Sequence, residues 1–416
     1  MIHEIENFKV TKLFDSYDHC IDFTADQTDL SEARIVIIVG NNGVGKTTTL
    51  NMIEGMLRLN FDPFRDVPFE KAELLLSTGD TLTVELNQNT NLLHVKFGEL
   101  YCYLHASKNG EIPKDEYDNV ESVRREAKPI LSRVGFEKLD IHRSIALRDK
   151  EERYIEERYI EERYIRDNSN GKLLNKNNKT SLLSGKVKKF VREAQVDYKK
   201  YFASEGPSLF PKILKRLQGK VETPANTSEL IDRLNVIKNT ELEMSRFGLT
   251  LNMSDINQLT ELLESEDVNH SQAVIAALEA YVETLESKHE ERCLISARLT
   301  NFERLISSFL KGKSILINYE NGLRITTDND KEINELSLSS GEYHLLYMLV
   351  TALVSTRTGY AIAIDEPELS LHVSWQRKLV NALIECSSGA SPLFIFATHS
   401  PAIASDYQDK WISLGD

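Results

Sequence analysis

The chain has 416 residues, enough for two or three ordinary domains. Its composition, with 41% hydrophobic and 27% charged residues, is that of a folded globular protein and excludes a largely disordered one. The net charge of −14 gives no overall argument for nucleic-acid binding.

Four cysteines are scattered along the chain, and none forms a C-x-x-C pair. This distribution indicates free thiols in a reducing compartment and no zinc site. The first residues do not have the pattern of a signal peptide, and no apolar run approaches the length of a membrane span. We therefore expect a soluble, cytoplasmic protein with no membrane partner.

The first part of the chain alternates between polar and apolar residues, as strands do. Residues 5–10 and 20–23 are predicted strands, with a turn at the polar residues 15–18. Residues 35–39 form an unbroken apolar run that is typical of a buried parallel strand. Apolar residues at helical spacing follow from 48 to about 59. A glycine-rich loop thus lies between a predicted strand and a predicted helix.

That loop, residues 40–47, fits the pattern G-x-x-x-x-G-K-[ST] at every fixed position. Its glycines allow backbone N–H groups to close around a polyphosphate, and the positive end of the helix faces the same anion. Lys46 would reach the β- and γ-phosphates, and Thr47 would ligate Mg²⁺. The candidate nucleotide-binding residues of this loop are Asn41, Asn42, Gly43, Val44, Gly45, Lys46, Thr47 and Thr48.

Four strand-like segments follow, separated by turn residues, at 72–76, 81–86, 91–97 and 100–105. Short polar turns between such segments predict an antiparallel meander. Up to about residue 145 the sequence therefore predicts one α/β lobe with a side sheet.

The composition then changes. Residues 151–165 are three tandem copies of Glu-Glu-Arg-Tyr-Ile. A period of five advances about 140° per repeat around a helix, so no constant apolar face forms, and we interpret the repeats as a solvated helix or flexible arm. Residues 172–220 contain 13 Lys or Arg against 3 Asp or Glu. This basic stretch is either a solvated helix face or a surface for DNA, RNA or an acidic protein.

Helical periodicity dominates the following part of the chain. Residues 228–266 predict one or two amphipathic helices, with Ser254 as a cap. Residues 270–310 predict the longest helix, which would extend on the order of 60 Å. We therefore predict that residues 146–312 are a helical insertion that forms a short antiparallel coiled-coil arm.

The last part returns to an α/β pattern. A hairpin is predicted around the turn signal Asn321-Gly322. Helices and strands then alternate in the predicted order helix 341–356, strand 360–364, helix 372–386, strand 393–397 and strand 411–414. The predicted fold class is α/β in two lobes, residues 1–145 and 313–416, with the helical insertion between them.

The predicted strand ending at 364 is followed directly by Asp365 and Glu366. A phosphate-binding loop needs a second Mg²⁺ contact from such a strand end, and Asp365 is the candidate. Glu366 would lie beside the γ-phosphate and could orient or deprotonate the attacking water. The alternative is an exposed acidic turn before Pro367.

Two further segments carry candidate site residues. Ser339, Ser340, Gly341 and Glu342 precede or begin a predicted helix, where they would form either a helix cap or an anion site. His399 follows the predicted strand 393–397, at the edge where ligands bind in open α/β sheets.

In chain order, the sequence holds a Walker A loop, an L-S-S-G-E signature, a Walker B strand ending in D-E-P-E, and a T-H-S segment. This combination resembles an ABC-type P-loop ATPase head of the SMC, RecF and OLD kind. The resemblance implies ATP as the nucleotide and a head-to-head dimer, or a higher even oligomer, with ATP between heads. Ser339, Ser340 and Gly341 of one head would touch the γ-phosphate held by Lys46 of the other, and His399 would sense it. Gln88 and residues 142–143 are two candidates for the Q-loop.

A finer resemblance rests on residues 366–372, with Trp375 and Gln376, and on residues 13–18. These segments are similar to OLD-like ATPases of prokaryotic anti-phage systems. In OLD nucleases a Toprim nuclease domain follows the head, whereas 17 residues follow His399 here, so no nuclease domain is expected. The layout is most similar to the ATPase subunit of PARIS-like two-gene systems, with Septu and retron-associated ATPases as neighbours.

This finer resemblance implies a slow ATPase that acts as sensor and scaffold for a separate toxic effector, a nuclease, and that responds to a phage trigger protein. Two alternatives remain open. The first is a DNA-repair or recombination ATPase that loads on DNA through residues 172–220, which predicts ATP-dependent DNA affinity with a steep salt dependence. The second is an assembly protein in which nucleotide is bound but not hydrolysed.

Overall fold

A computed structural model gives the structure of the chain. It describes most of the sequence in ranges separated by gaps, namely residues 3–24, 34–65, 67–106, 114–140, 182–196, 211, 213–214, 226–250, 253–264, 272–355, 360–390 and 392–415. The tandem repeats at 151–165, most of the basic stretch 172–220, and residues 142–143 lie outside these ranges. The chain divides into two compact units, residues 1–171 with 336–416, and residues 172–335. The lobe boundaries at 145 and 313 stay predictions.

A five-stranded parallel sheet forms the centre of the first unit. Its strands, in spatial order, are β14 (Trp411–Ser413), β3 (Arg34–Val39), β13 (Leu393–Ala397), β12 (Ala361–Asp365) and β8 (Phe136–Asp140). Every residue of β12 and β13 is buried, which explains their continuous apolar sequences. All pairings are parallel, so the carboxyl ends of these strands meet at one edge.

A six-stranded antiparallel sheet completes the β-structure of this unit. Its spatial order is β2-β1-β4-β5-β6-β7, with bounds Ile5–Leu13 (β1), Tyr17–Asp22 (β2), Lys71–Leu76 (β4), Thr81–Asn87 (β5), Leu92–Phe97 (β6) and Leu100–His105 (β7). The meander that the sequence predicts is confirmed, because β4, β5, β6 and β7 pair as successive antiparallel neighbours. Alternate residues of these strands face the core, as in β4.

The helices of the first unit are α1 (Lys46–Arg58), α2 (Lys114–Leu131), α7 (Ser340–Val354), α8 (Val373–Cys386) and α9 (Pro401–Ala404). Short 3₁₀ turns lie at Asp62–Phe64 and Ser405–Lys410. The helices and strands predicted between residues 341 and 414 are confirmed, with ends that differ by at most two residues. No helix in the described ranges is long and apolar enough to cross a bilayer.

The second unit contains α3 (182–196), α4 (Thr227–Arg246), α5 (Met253–Glu264) and α6 (Gln272–Phe309), and a three-stranded sheet of β9 (Lys313–Asn318), β10 (Gly322–Thr327) and β11 (Glu332–Ile333). The predicted long helix is confirmed as α6, whose 38 residues extend roughly 57 Å. The predicted hairpin is confirmed as β9 and β10. The predicted cap at Ser254 is wrong, because α5 already begins at Met253.

A charged cluster lies inside the helical unit. Arg292 of α6 is fully buried, and its Nη1 donates to Oε1 of Glu241 at 2.5 Å and to the carbonyl oxygen of Leu249 at 2.8 Å. Its Nη2 donates to Nδ1 of His289 at 2.9 Å. Burial, followed by the positive charge of Arg292, lowers the pKa of His289. This network ties α6 to α4 and to the segment after α4.

Candidate active site

The loop between β3 and α1 has a backbone that glycine adopts far more readily than other residues. Gly43 and Gly45 have φ angles of 87° and 97°, in the left-handed region. A Cβ atom on Gly45 would lie 2.5 Å from Cδ2 of Leu13, which is closer than real Cβ atoms come to a neighbour. Gly45 is therefore needed both for its backbone conformation and for the close approach of β1.

A buried histidine on β2 forms a hydrogen bond with the backbone of this loop. Nε2 of His19 lies 2.7 Å from the carbonyl oxygen of Val44, and the residue is 3% exposed. Hydrogen bonding to a carbonyl places the proton on Nε2. The ring also stacks on Tyr17, with centroids 5.9 Å apart. His19 was not predicted from the sequence as a site residue, because a histidine on a strand gives no local signal for a loop elsewhere in the chain.

The rim of the loop is open to solvent. Asn41, Asn42, Gly43 and Thr47 are exposed and Thr48 is partly exposed. A polyphosphate could therefore reach the loop amides and the Thr47 hydroxyl without rearrangement of the core.

Lys46 lies at the start of α1 and is 4% exposed. Its Nζ donates to the carbonyl oxygens of Gly40 at 2.9 Å and Asn41 at 3.3 Å, and it also contacts the imidazole ring of His399. Burial lowers the pKa of Lys46, while the carboxylates of Glu366, Asp365 and Glu368 act in the opposite direction. The Walker A lysine and the predicted phosphate-sensing histidine are thus adjacent.

The two residues predicted to hold Mg²⁺ are brought together by α1 and β12. The Thr47 hydroxyl donates to Oδ1 of Asp365 at 3.1 Å. A hydroxyl and a carboxylate are the oxygen ligands that Mg²⁺ prefers, and it typically completes its shell with phosphates and water. Within the described residues no group of three or more His, Cys, Asp or Glu could hold a metal ion. The hydroxyl and carboxylate of this pair would fit a Mg²⁺ that takes its other ligands from a bound nucleotide and water.

Glu366 follows β12 with a φ angle of 50°, which is unusual for a residue with a side chain. Its backbone N–H donates to the carbonyl oxygen of Ala397, the last residue of β13, at 2.9 Å. Its Oε1 lies 3.3 Å from Nε2 of His399. Burial, and then the neighbouring Glu368 carboxyl, raises the pKa of Glu366 to about 7, against the opposing charge of Lys46.

Glu368 connects the Walker B segment to the histidine. Its Oε2 accepts from the Thr398 hydroxyl and its Oε1 accepts from the backbone N–H of His399, both at 2.7 Å. The Gln376 side-chain amide donates to the carbonyl oxygen of Glu368 at 3.3 Å and accepts from the Ser400 hydroxyl at 2.7 Å. Glu368 is the last residue of the D-E-P-E motif, but its contacts with Thr398 and His399 were not predicted from the sequence.

We expect Thr398→Val to destabilise the first unit by about 1–3 kcal/mol, because it leaves a half-buried Glu368 oxygen and the Ser400 N–H without the hydroxyl of the buried Thr398 that they contact. Urea unfolding followed by tryptophan fluorescence measures this change, since both tryptophans, Trp375 and Trp411, belong to this unit. Thr398→Ser keeps the hydroxyl and is the matched control. Equal stability of the valine variant and wild type would contradict the role of this hydroxyl.

The signature residues lie at the start of α7. The Ser339 hydroxyl accepts from the Glu342 N–H at 3.3 Å, and the Glu342 carboxylate accepts from the Ser339 N–H at 2.8 Å, so the two form a capping box. A Cβ on Gly341 would lie 2.3 Å from the carbonyl oxygen of Ser370, so glycine permits a close approach here. Ser339 and Ser340 are exposed.

The structure thus brings Lys46, Thr47, Asp365, Glu366 and His399 into one cluster of contacts. The signature residues form their own capped helix start, and their predicted role stays a prediction, as do the roles of the other site residues. Gln88 lies in the turn after β5, where its side-chain amide is 3.4 Å from Oδ1 of Asp15.

A family model described as an AAA ATPase domain matches residues 4–404 of the chain. A comparison with curated proteins finds no match. Among solved structures, the chain is similar to the Smc head domain of Pyrococcus furiosus bound to the C-terminal domain of ScpA. That head is 13% identical, with a TM-score of 0.40, and the match covers 97% of this chain and 92% of that chain.

Two further Smc heads are similar to the chain. The head from Pyrococcus yayanosii is 15% identical with a TM-score of 0.36, covering 99% of this chain and 95% of that one. The head from Thermotoga maritima is 13% identical with a TM-score of 0.35, covering 97% and 91%.

Proposed function

The chain belongs to the AAA ATPase domain family, and on that premise we propose that it binds ATP with Mg²⁺ at residues 40–48 and hydrolyses it. The observation that carries the proposal is the convergence of Lys46, His399 and Glu366. The Lys46 ammonium contacts the His399 ring, whose Nε2 is 3.3 Å from the Glu366 carboxylate. Such convergence at the carboxyl edge of a parallel sheet is the arrangement that open α/β folds use for ligands.

Each residue has a distinct task in this proposal. The loop amides and Lys46 would bind the β- and γ-phosphates. Thr47 and Asp365 would hold Mg²⁺, which supplies positive charge to the phosphate oxygens when bound. Glu366 would orient the attacking water and accept its proton. His399 would contact the γ-phosphate beside Lys46. Hydrolysis would thus depend on positioning and electrostatic stabilisation.

We further propose that two heads dimerise around ATP, with the α7 start of one head facing the nucleotide of the other. The exposure of Ser339 and Ser340 at a helix N-terminus supports this, because their hydroxyls and the first helical N–H groups are suited to an anion. In this proposal, closure of the dimer in the cytoplasm controls a separate effector, a nuclease toxin, during antiviral defence, and a phage protein acts as the trigger.

We expect Lys46→Ala to weaken ATP binding roughly 10- to 100-fold, because one charge-assisted hydrogen bond contributes about 1.5–3 kcal/mol. Titration with a fluorescent ATP analogue measures the loss. Lys9→Ala is the control, since Lys9 is an exposed lysine on β1 of the same unit. If the Lys46 variant bound the ATP analogue as tightly as wild type, the proposal that this loop binds the nucleotide would be contradicted.

The wider function is tested by co-expression of tagged Glu366→Gln protein with the products of its neighbouring genes. Purification with ATP, followed by mass spectrometry, identifies what remains bound, and Lys46→Ala protein is the control. A stoichiometric nuclease that is retained by the Glu366 variant and lost from the Lys46 variant is the expected result. Nuclease-sensitive DNA without a protein partner would instead favour a repair ATPase and overturn the defence proposal.

A further inference from the structure

Lys138 is a buried lysine whose ammonium group lies beside the Asp365 carboxylate. It is on β8, paired in parallel register with Ala363 of β12, and it is 6% exposed. Its Nζ is 2.6 Å from Oδ1 of Asn51 and 3.3 Å from Oδ2 of Asp365. Because lysines are almost never fully buried unless they are paired, these two contacts account for its position.

The two oxygens of Asp365 therefore have different partners. Oδ1 accepts from the Thr47 hydroxyl, and Oδ2 pairs with Lys138. Asn51 lies about one helical turn after Thr47 on α1, so the lysine also contacts the helix that carries the other candidate Mg²⁺ ligand. One ammonium group thus joins β8, β12 and α1 at the point where the two ligands meet.

From this geometry we infer that Lys138 is a positioning residue for Mg²⁺-dependent nucleotide binding. By holding Oδ2 of Asp365 and the side chain of Asn51, it keeps Oδ1 and the Thr47 hydroxyl at the separation that a shared Mg²⁺ needs. Such sites tolerate errors of only about 0.5 Å, and loss of an outer partner of a metal ligand typically costs 10- to 100-fold in metal affinity or activity. This inference rests on the proposed ATP site.

A purely structural role for Lys138 makes a different prediction. A buried ion pair is often no more stabilising than apolar residues of similar volume, so stability alone is a weak reason to place a lysine here. If Lys138 served stability alone, its replacement would change unfolding but not the Mg²⁺ requirement. A positioning role changes the Mg²⁺ requirement and leaves Mg²⁺-free nucleotide binding as it was.

The test compares Lys138→Met, Lys138→Arg and wild type, with Lys189→Met as a control at an exposed lysine of α3. A fluorescent ATP analogue is titrated with Mg²⁺ and, separately, in EDTA. In Lys138→Met the Mg²⁺ concentration for half-maximal binding should rise about 10- to 100-fold, while affinity in EDTA equals that of wild type. Lys138→Arg keeps the charge and should recover most of the Mg²⁺ response.

A folded Lys138→Met protein with the wild-type Mg²⁺ requirement would overturn the inference. If that variant does not fold, Asn51→Ala removes the carbonyl that fixes the ammonium and keeps the charge. It should raise the Mg²⁺ requirement in the same direction, and no change would equally overturn the inference. Wild-type protein that binds no ATP analogue, with or without Mg²⁺, would overturn the proposed function itself, so the two failures are distinguishable.

Discussion

Replacement of Glu366 by glutamine is expected to stop ATP hydrolysis while ATP binding is retained. The carboxylate lies directly after β12, at hydrogen-bonding distance from His399, and glutamine has nearly the same shape but cannot accept a proton from water. A positioned general base contributes about 10²- to 10⁴-fold to a rate. Phosphate release at saturating ATP should fall by this factor, and binding of a fluorescent ATP analogue should stay within about threefold of wild type.

The matched control is Glu385→Gln, an exposed glutamate near the end of α8 in the same unit. It should leave hydrolysis unchanged. Glutamine also keeps the Cβ atom at a position with positive φ, so the variant retains the backbone strain of the wild type and tests the carboxylate alone. Wild-type turnover in the Glu366 variant would assign the proton transfer to another group.

The parts of the site that the sequence predicts are those encoded by neighbouring residues. The apolar strand β3, the glycine loop and the start of α1 form one continuous segment, as do β12 and its two carboxylates. Their chemistry depends on local backbone geometry, such as the positive φ of Gly43 and Gly45. Short-range patterns were therefore sufficient to predict these elements.

Contacts across the sheet could not be predicted in this way. Lys138 reaches Asp365 because β8 lies beside β12, and no local pattern encodes that strand order. The same holds for the hydrogen bond between His19 and Val44. No local sequence pattern shows which residue a buried lysine or histidine will contact. These residues could therefore be identified only from the structure.

The helix α2 of the first unit was not predicted from the sequence. Residues 114–131 form α2, although Pro129 lies within its last turn. The buried residues Val120, Val123 and Ala127 recur at helical spacing but are separated by charged residues. Proline removes a single N–H donor and is tolerated near a helix end when packing of the apolar stripe compensates.

Replacement of Arg292 by methionine is expected to destabilise the helical unit by about 3–5 kcal/mol. Methionine removes the guanidinium and the charge-assisted hydrogen bond that it donates to the buried Glu241 carboxylate, and breaking a buried ion pair by removing one partner carries a cost of this size. Urea unfolding followed by far-ultraviolet circular dichroism measures the change, because both tryptophans lie in the other unit. Arg304→Met is the control on the same helix, since Arg304 contacts Asn301 at an exposed position.

A second substitution distinguishes two contributions to the lost free energy of unfolding, namely the broken ion pair with Glu241 and the lost packing of the Arg292 side chain. If Glu241 is also replaced by methionine, its buried carboxylate is removed together with the guanidinium, and the double variant should recover most of the lost stability. Its interaction energy in a double-mutant cycle should then be of the order of 2–3 kcal/mol, the upper part of the range for residues in contact. A double variant no more stable than Arg292→Met would show instead that the guanidinium acts through its bond to the Leu249 carbonyl, which methionine cannot replace.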